Sequence, residues 1–180
     1  MRLGYETSEQ DKEYSDEKML IGQKELIRLF PDFKEDVGGN GIDLRVGKVE
    51  GIMQDHQPIG CLNDEKLVPN YYTIPVKDGK YELLPHNFYF MTVDRPIRIP
   101  SGYIQTYLLR STFCRCGLIL SSAVGDSGFQ GTLMMGLYNS SPKKITIGEN
   151  ERIMQALTWK TDETVTDYDG EYQNNEIYER

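Results

Sequence analysis

Between Ile99 and Pro142 the chain carries only three charged side chains, Arg110, Arg115 and Asp126, although 27% of all its residues are charged. An apolar, glycine-punctuated segment usually lies in a core, where an ion persists when it is paired, hydrogen-bonded or used. Two cations and one carboxylate read as a site for a polyanion with an acid/base group beside it. A structural Arg/Asp ion pair has the same composition, so the flanking residues must decide.

The segment Arg110-Ser111-Thr112-Phe113-Cys114-Arg115-Cys116-Gly117 follows an alternating, strand-like stretch. Two guanidiniums, the hydroxyls of Ser111 and Thr112 and the backbone N–H groups of a turn can hold a phosphate chain through charge-assisted hydrogen bonds. The arginines are five positions apart and need not face the same way. At an oligomer interface one would serve its own site and the other a neighbour's. Further on, Ser121 to Gly131 reads as a β-hairpin with Asp126 near its tip and a backbone open to a ligand. Phe129 is suited to packing on a sugar or base; a plainer reading puts it in the core, with Asp126 closing an Asx turn. Asp43 and Arg45 in Asn40–Val46, and Arg152 and Gln155 in Glu149–Leu157, set charged or amide groups beside apolar strands. A simple Asp43–Arg45 pair and a surface ring of Arg152 and Gln155 fit those two segments equally well.

These residues need a scaffold. Leu20, Leu26, Ile27, Phe30 and Phe33 fall at roughly helical spacing, so one short helix is expected between Met19 and Phe33, ended by Pro31. From Gly38 onward, short apolar or alternating runs are broken by Gly, Pro, Asn and Asp, an all-β rhythm. Strands are expected at Ile42–Val46, Tyr81–Leu84, Phe88–Val93, Tyr103–Leu109, Leu118–Ser122, Thr132–Asn139, Lys144–Ile147 and Arg152–Thr158. No long helical pattern interrupts them, which favours a barrel or sandwich over an α/β fold.

At 180 residues and 38% hydrophobic content the chain can bury one substantial core. Its net charge of −8 is concentrated at the ends: residues 1–18 and 161–180 together carry a net −9, and residues 19–160 only +1. Three regions are therefore expected: an acidic extension over 1–18, a β-domain over 19–160 and an arm over 161–180. A nearly neutral body argues against binding nucleic acid through a broad basic surface. Cys61, Cys114 and Cys116 are odd in number, and no signal peptide or membrane-spanning run stands out, so a reduced cytoplasmic protein without membrane partners is expected. The Cys114/Cys116 spacing is tighter than a usual zinc pair, and His56 and His86 lie far from it. Tyr168 and Tyr172, in an otherwise solvated tail, suit a docking arm or a frayed terminus.

The order of these pieces carries more than any one of them. A Gly41-Ile42-Asp43-Leu44-Arg45-Val46 strand, an Arg110-Ser111 turn, an Asp126-bearing glycine segment and an Arg152-x-x-Gln155 strand, taken together, resemble the dUTPase and dCTP deaminase superfamily. Gly41–Gly47 and the stretch from Gly60 to Glu65 look most like its archaeal dUTPase branch, and residues 168–173 resemble its C-terminal Tyr-x-Gly-x-Tyr-Gln arm. The resemblance implies a distorted, jelly-roll-like β-barrel of the β-clip type. It also implies a homotrimer whose active sites lie at subunit interfaces and are closed by the C-terminal arm.

By position, the resemblance gives Arg110, Ser111, Thr112, Arg152 and Gln155 the phosphates, with Arg115 reaching them from a neighbouring subunit. Ser122, Ala123, Val124, Phe129, Tyr168 and Tyr172 would take the nucleoside, Phe129 disfavouring a ribose 2′-OH. Asp126 falls on the family's water-activating carboxylate, and Asp43 on its first-motif acid, placed to reach Mg²⁺ through water. The reaction implied is hydrolysis of dUTP to dUMP and pyrophosphate. The alternatives are dCTP deamination, a bifunctional enzyme, or a non-catalytic nucleotide-binding trimer. The family's deaminases use a Glu ten residues beyond the aspartate; here that position is Gly136, and Thr132–Asn139 contains no acid. The chain also has Gly125 where the archaeal branch often carries Trp, and Ser127 where Pro is common.

Overall fold

The computed structural model describes residues 20–62, 65–161 and 165–174. The expected acidic extension over 1–18 lies outside the described residues, as does Asp64 of the archaeal-like stretch. The chain is mostly β. Helix α1 (Gln23–Leu29) buries Leu26, and a 3-10 turn (Pro31–Asp36) buries Phe33 and Asp36. The single expected helix is thus two short pieces, because Pro31 has no N–H to continue the first and opens the second. Leu20, expected in the helix, bridges to Trp159 instead.

Thirteen strands follow among the described residues: β1 (Ile42–Ile52), β2 (Gly60–Leu62), β3 (Glu65–Leu67), β4 (Tyr71–Thr73), β5 (Lys80–Leu83), β6 (Phe88–Val93), β7 (Ile97–Arg98), β8 (Tyr103–Leu109), β9 (Leu118–Ser121), β10 (Gln130–Gly131), β11 (Met134–Asn139), β12 (Ile145–Gly148) and β13 (Arg152–Lys160). A five-residue helix, α2 (Ser111–Arg115), joins β8 to β9 where a turn was expected. Seven strands form one antiparallel sheet in the order β8-β13-β1-β6-β11-β9, with β4 on the far end of β1. The outer strands β8 and β9 are consecutive in the chain and lie near each other, so the sheet curls into a nearly closed barrel.

The longest strand explains the curl. Strand β1 pairs with β13 through Ile42–Arg45 and with β6 through Val46–Gly51, so its two halves belong to opposite neighbours. Gly47 sits in a bulge between them, and a Cβ there would press on the Val93 carbonyl at 2.6 Å. The strand was expected to stop at Val46; the glycine instead lets it bend and continue. Alternate residues of β1 and β6 point inward, and Leu44, Val46, Val49, Met91, Leu137, Ile153 and Met154 make the barrel core. The two-residue and three-residue strands β2, β3, β4, β7 and β10 are too short to show alternation, which is why none was expected.

The β5/β12 pair is fastened to the main sheet by Asn139, which is fully buried. Its Nδ2 donates to the carbonyls of Leu83, Leu84 and Lys143 at 2.9, 3.1 and 2.9 Å, and its Oδ1 accepts from the N–H and hydroxyl of Ser141. Asn139→Ala should lower unfolding free energy by about 2 kcal/mol in urea titration, since buried carbonyls lose their donor. A change below about 0.5 kcal/mol would show that the β5/β12 unit is held by packing alone.

Candidate active site

The segment carrying Asp126 is not the hairpin expected from its glycines. Strand β9 pairs with β11 and β10 pairs with β7, so the strands on either side of it do not pair with each other. The loop is fastened to the β7–β8 region instead. Gly125 and Gln105 exchange both backbone hydrogen bonds at 2.8 Å, and the Gly128 N–H and the Phe129 carbonyl bond to the Ile99 backbone. The Phe129 N–H donates to the Asp126 carbonyl at 3.2 Å, and Gly128 has φ of 75°, as a tight turn of this kind requires. The exposed side chain of Asp126 therefore leaves from the first position of a fixed turn.

A cavity of about 470 Å³ opens beside it. Ala123, Val124, Gly125, Asp126 and Phe129 line it from the loop, Thr132 to Met135 from β11 and its approach, Tyr107 from β8, and Tyr168 and Tyr172 from the arm. Asp126 is the only carboxylate among the described residues lining it, and no Lys, Arg or His lines it. Ser122 is exposed and stands outside the wall. Burial, and then the charge of Asp126, push the Tyr107 phenol far above its ordinary range, so its hydroxyl stays neutral at any working pH.

The arm lies on this loop. The Tyr168 N–H donates to the Ser127 carbonyl at 2.7 Å, and the Ser127 hydroxyl donates to the Asp167 carboxylate at 2.7 Å while accepting from the Gly102 N–H. Gln173 accepts from the Gln130 N–H and donates to the Gly128 carbonyl. The Tyr168 ring meets Phe129 edge-on, with centroids 5.9 Å apart. Lys66 pairs with Glu171 at 3.0 Å and sits over the Tyr172 ring. Ser127, a departure from the family's usual Pro, is thus the hinge point of loop and arm.

The phosphate candidates gather elsewhere. Arg152 approaches Asp43 at 3.6 Å and Asp36 at 3.7 Å, the Gln155 amide reaches Asp43 at 3.5 Å, and Arg110 donates to the Arg152 carbonyl. Ser111, Thr112 and Arg115 are exposed on α2, which starts beside this group because the Arg110 N–H is tied to Ile153 of β13. Asp43 and Arg45 do not pair: Arg45 binds Asp36 at 2.8 Å. That carboxylate, 3% exposed, also holds Arg95 at 2.9 Å. Asp36, Tyr107, Ser127 and Asp167 carry no spacing signal in the sequence, since each matters through a partner distant along the chain.

Within one chain the cavity and the cation group are separate, and none of Arg110, Ser111, Thr112, Arg115, Arg152, Gln155 or Asp43 lines the cavity. Residues 13–161 match the family model described as dCTP deaminase-like. The chain belongs to the dCTP deaminase-like family. A relative from Methanothermobacter thermautotrophicus, called a probable deoxyuridine 5′-triphosphate nucleotidohydrolase, is 42% identical over 86% of this chain and 99% of its own. A protein of the same description from Methanopyrus kandleri is 31% identical over 86% and 99%. A dCTP deaminase from Pyrobaculum arsenaticum is 28% identical over 86% and 92%. The chain thus sits among dUTP- and dCTP-processing enzymes, with archaeal dUTPase-like relatives among them. The solved dCTP deaminase of Agrobacterium tumefaciens shares the fold, with a TM-score of 0.59 at 13% identity over 79% of this chain and 48% of that one.

No group of three or more His, Cys, Asp or Glu side chains able to hold a metal occurs among the described residues. Asp43 is already engaged by Arg152 and Gln155, which suits an outer-sphere contact through water better than direct ligation. This donor set fits a divalent cation carried mainly by phosphates and water.

Asp167→Ala should release the arm: the Tyr168 amide is expected to exchange with deuterium about tenfold faster, the equivalent of one lost hydrogen bond. Unchanged exchange would show that the backbone bonds and Tyr168 packing suffice.

Proposed function

We propose that this protein hydrolyses dUTP to dUMP and pyrophosphate as a cytoplasmic homotrimer. One observation carries the choice of reaction: Asp126 is the only carboxylate among the described residues lining the cavity, while Gly136, at the deaminases' Glu position, is buried against its neighbours. A Cβ at Gly136 would run into the Phe88 ring and come within 3.0 Å of the Ser121 Cβ. Deaminating cytosine needs an acid/base group beside the ring to activate water and shuttle its proton. Hydrolysing the triphosphate needs one base for water and cations for the departing charge.

In this reading Asp126 takes a proton from water as the water oxygen bonds to the α-phosphorus in line. The bond from that phosphorus to the bridging oxygen breaks, and pyrophosphate leaves. Arg110, Ser111, Thr112, Arg152 and Gln155 hold the phosphates, and Arg115 of a neighbouring subunit neutralises charge at the transition state. Bound Mg²⁺ would shield the phosphate oxygens, with Asp43 contacting its water shell. Ala123, Val124 and Phe129 hold the nucleoside under Tyr168 and Tyr172, and Phe129 disfavours a 2′-OH. The separation of cavity and cation group within one chain supports a site completed between subunits. Three exposed free cysteines suit a reducing compartment.

Pyrophosphate release should be seen with dUTP and Mg²⁺ and not with UTP, and ammonia should not appear with dCTP. Ammonia from dCTP would overturn the argument from Gly136, and it is the outcome favoured by the dCTP deaminases among the relatives. Asp126→Asn should lower the rate by about 10² to 10⁴; a variant within a few-fold of the parent would remove Asp126 from catalysis. Mixing Asp126→Asn and Arg115→Ala subunits after dissociation should restore about a quarter of the activity, since about one interface in four then carries both intact groups. No recovery would place Arg115 outside the neighbour's site.

A further inference from the structure

A line of buried polar groups runs from the barrel wall to the cavity. Gln105 and Thr158 are fully buried and Tyr107 is 5% exposed. The Gln105 Nε2 donates to the Thr158 hydroxyl at 3.1 Å, and the Tyr107 hydroxyl donates to the Gln105 Oε1 at 3.2 Å. The line ends at the cavity, which Tyr107 lines beside Gly125 and Asp126. The direction in which Gly125 would carry a Cβ points at the Tyr107 hydroxyl and at Ile99 Cδ1. Glycine at this position is what lets the phenol oxygen lie against the loop backbone at the cavity wall.

The direction of the bonds decides what that oxygen offers. Thr158 takes the amide nitrogen of Gln105, so the amide oxygen faces Tyr107 and claims its proton. A hydroxyl whose one proton is committed has only lone pairs left to give. Burial, and then the neighbouring charge of Asp126, keep the phenol from ionising. The Gln105 backbone is paired with Gly125, and its side chain is fully buried between Thr158 and Tyr107. Much of the cavity wall is apolar, with Val124, Phe129 and Met135 among its residues.

We infer that Tyr107 is a specificity-determining residue for the base, presenting a fixed hydrogen-bond acceptor that matches the imide N–H of uracil. Uracil carries a proton on its ring N3, whereas cytosine carries a lone pair there, which would face the phenol lone pairs. A site built around one buried polar contact rejects a ligand lacking the matching group far better than a shape-only pocket does. The inference deepens the proposed dUTP hydrolysis and rests on it: Gln105 and Thr158 set the acceptor, Tyr107 applies it and Asp126 acts on the phosphate.

The test is Tyr107→Phe, which keeps the ring and removes the acceptor. With dUTP, KM should rise about tenfold while kcat stays within about threefold, as expected when a ground-state hydrogen bond is lost. The inhibition constant of dUMP against dUTP turnover should rise about tenfold while that of dCMP stays nearly unchanged, so that a preference for dUMP shrinks about tenfold. A residue that only supports the fold would weaken both monophosphates alike; an unchanged ratio overturns the inference. Should Tyr107→Phe fold poorly, titration calorimetry of dUTP and dCTP into Asp126→Asn reads the same preference without turnover. Equal affinity for the two would also overturn it. The parent enzyme separates the two ideas: if it releases no pyrophosphate from dUTP, the proposed reaction fails, whereas an active parent with an unaltered Tyr107→Phe variant refutes only the role of Tyr107.

Discussion

A loop that offers a carboxylate to solvent has to be held still by something other than a strand partner, and here that is the paired exchange of hydrogen bonds between Gly125 and Gln105. Those bonds fix the backbone one residue before Asp126, and the Asp126–Phe129 turn fixes it on the other side. The loop side of the cavity then takes its position from this anchor. Phe129 faces Tyr168, Ser127 is turned inward to receive the Gly102 N–H and grip Asp167, and Tyr107 lies against Gly125. A side chain at position 125 would separate the loop from β8, and the order of the cavity would go with it.

The cation group obeys a different constraint. Asp36 is almost wholly buried, and a buried carboxylate must be paired. It draws Arg45 from β1, Arg95 from the segment after β6 and Arg152 from β13 to one point at the end of the 3-10 turn. Arg95 also lies over the Phe33 ring, so the turn is clamped by charge and by packing together. Arg152 is the least tightly held of the three, at 3.7 Å from Asp36 and 3.6 Å from Asp43. Of these guanidiniums it is the one a phosphate could draw outward, while Arg45 and Arg95 keep the turn in place.

Much of this was legible in the sequence, for stated reasons. Strands such as Phe88–Val93 and Tyr103–Leu109 alternate cleanly because one face meets the core, and both have the expected bounds. The low-charge stretch containing Arg110, Arg115 and Asp126 did mark the elements around the cavity and α2. What escaped was set by tertiary partners. The glycine-rich run around Asp126 imitates a hairpin, but its flanking strands find their partners in β7 and β11. Asp43 and Arg45 share a strand face, yet each is claimed by a group from another element: Arg45 by Asp36, and Asp43 by Arg152 and Gln155. Tyr107 looks like any core tyrosine until the glycine opposite it is seen.

The same packing logic bears on the choice between two chemistries in one family. Strand β11 passes along the cavity with Met134 and Met135, then turns Gly136 into the crowded space between Phe88 and Ser121. An acid there would need that space opened, and its carboxylate would enter an apolar neighbourhood without a cation lining the cavity to pair it. Asp126 meets neither obstacle, because it is exposed at a turn and reaches solvent directly. In the proposed reaction such a barrel would present Asp126 to water beside the phosphate chain, while β11 offers no acid toward the ring. With relatives of both kinds in the family, this local packing is what supports the proposed hydrolysis over deamination.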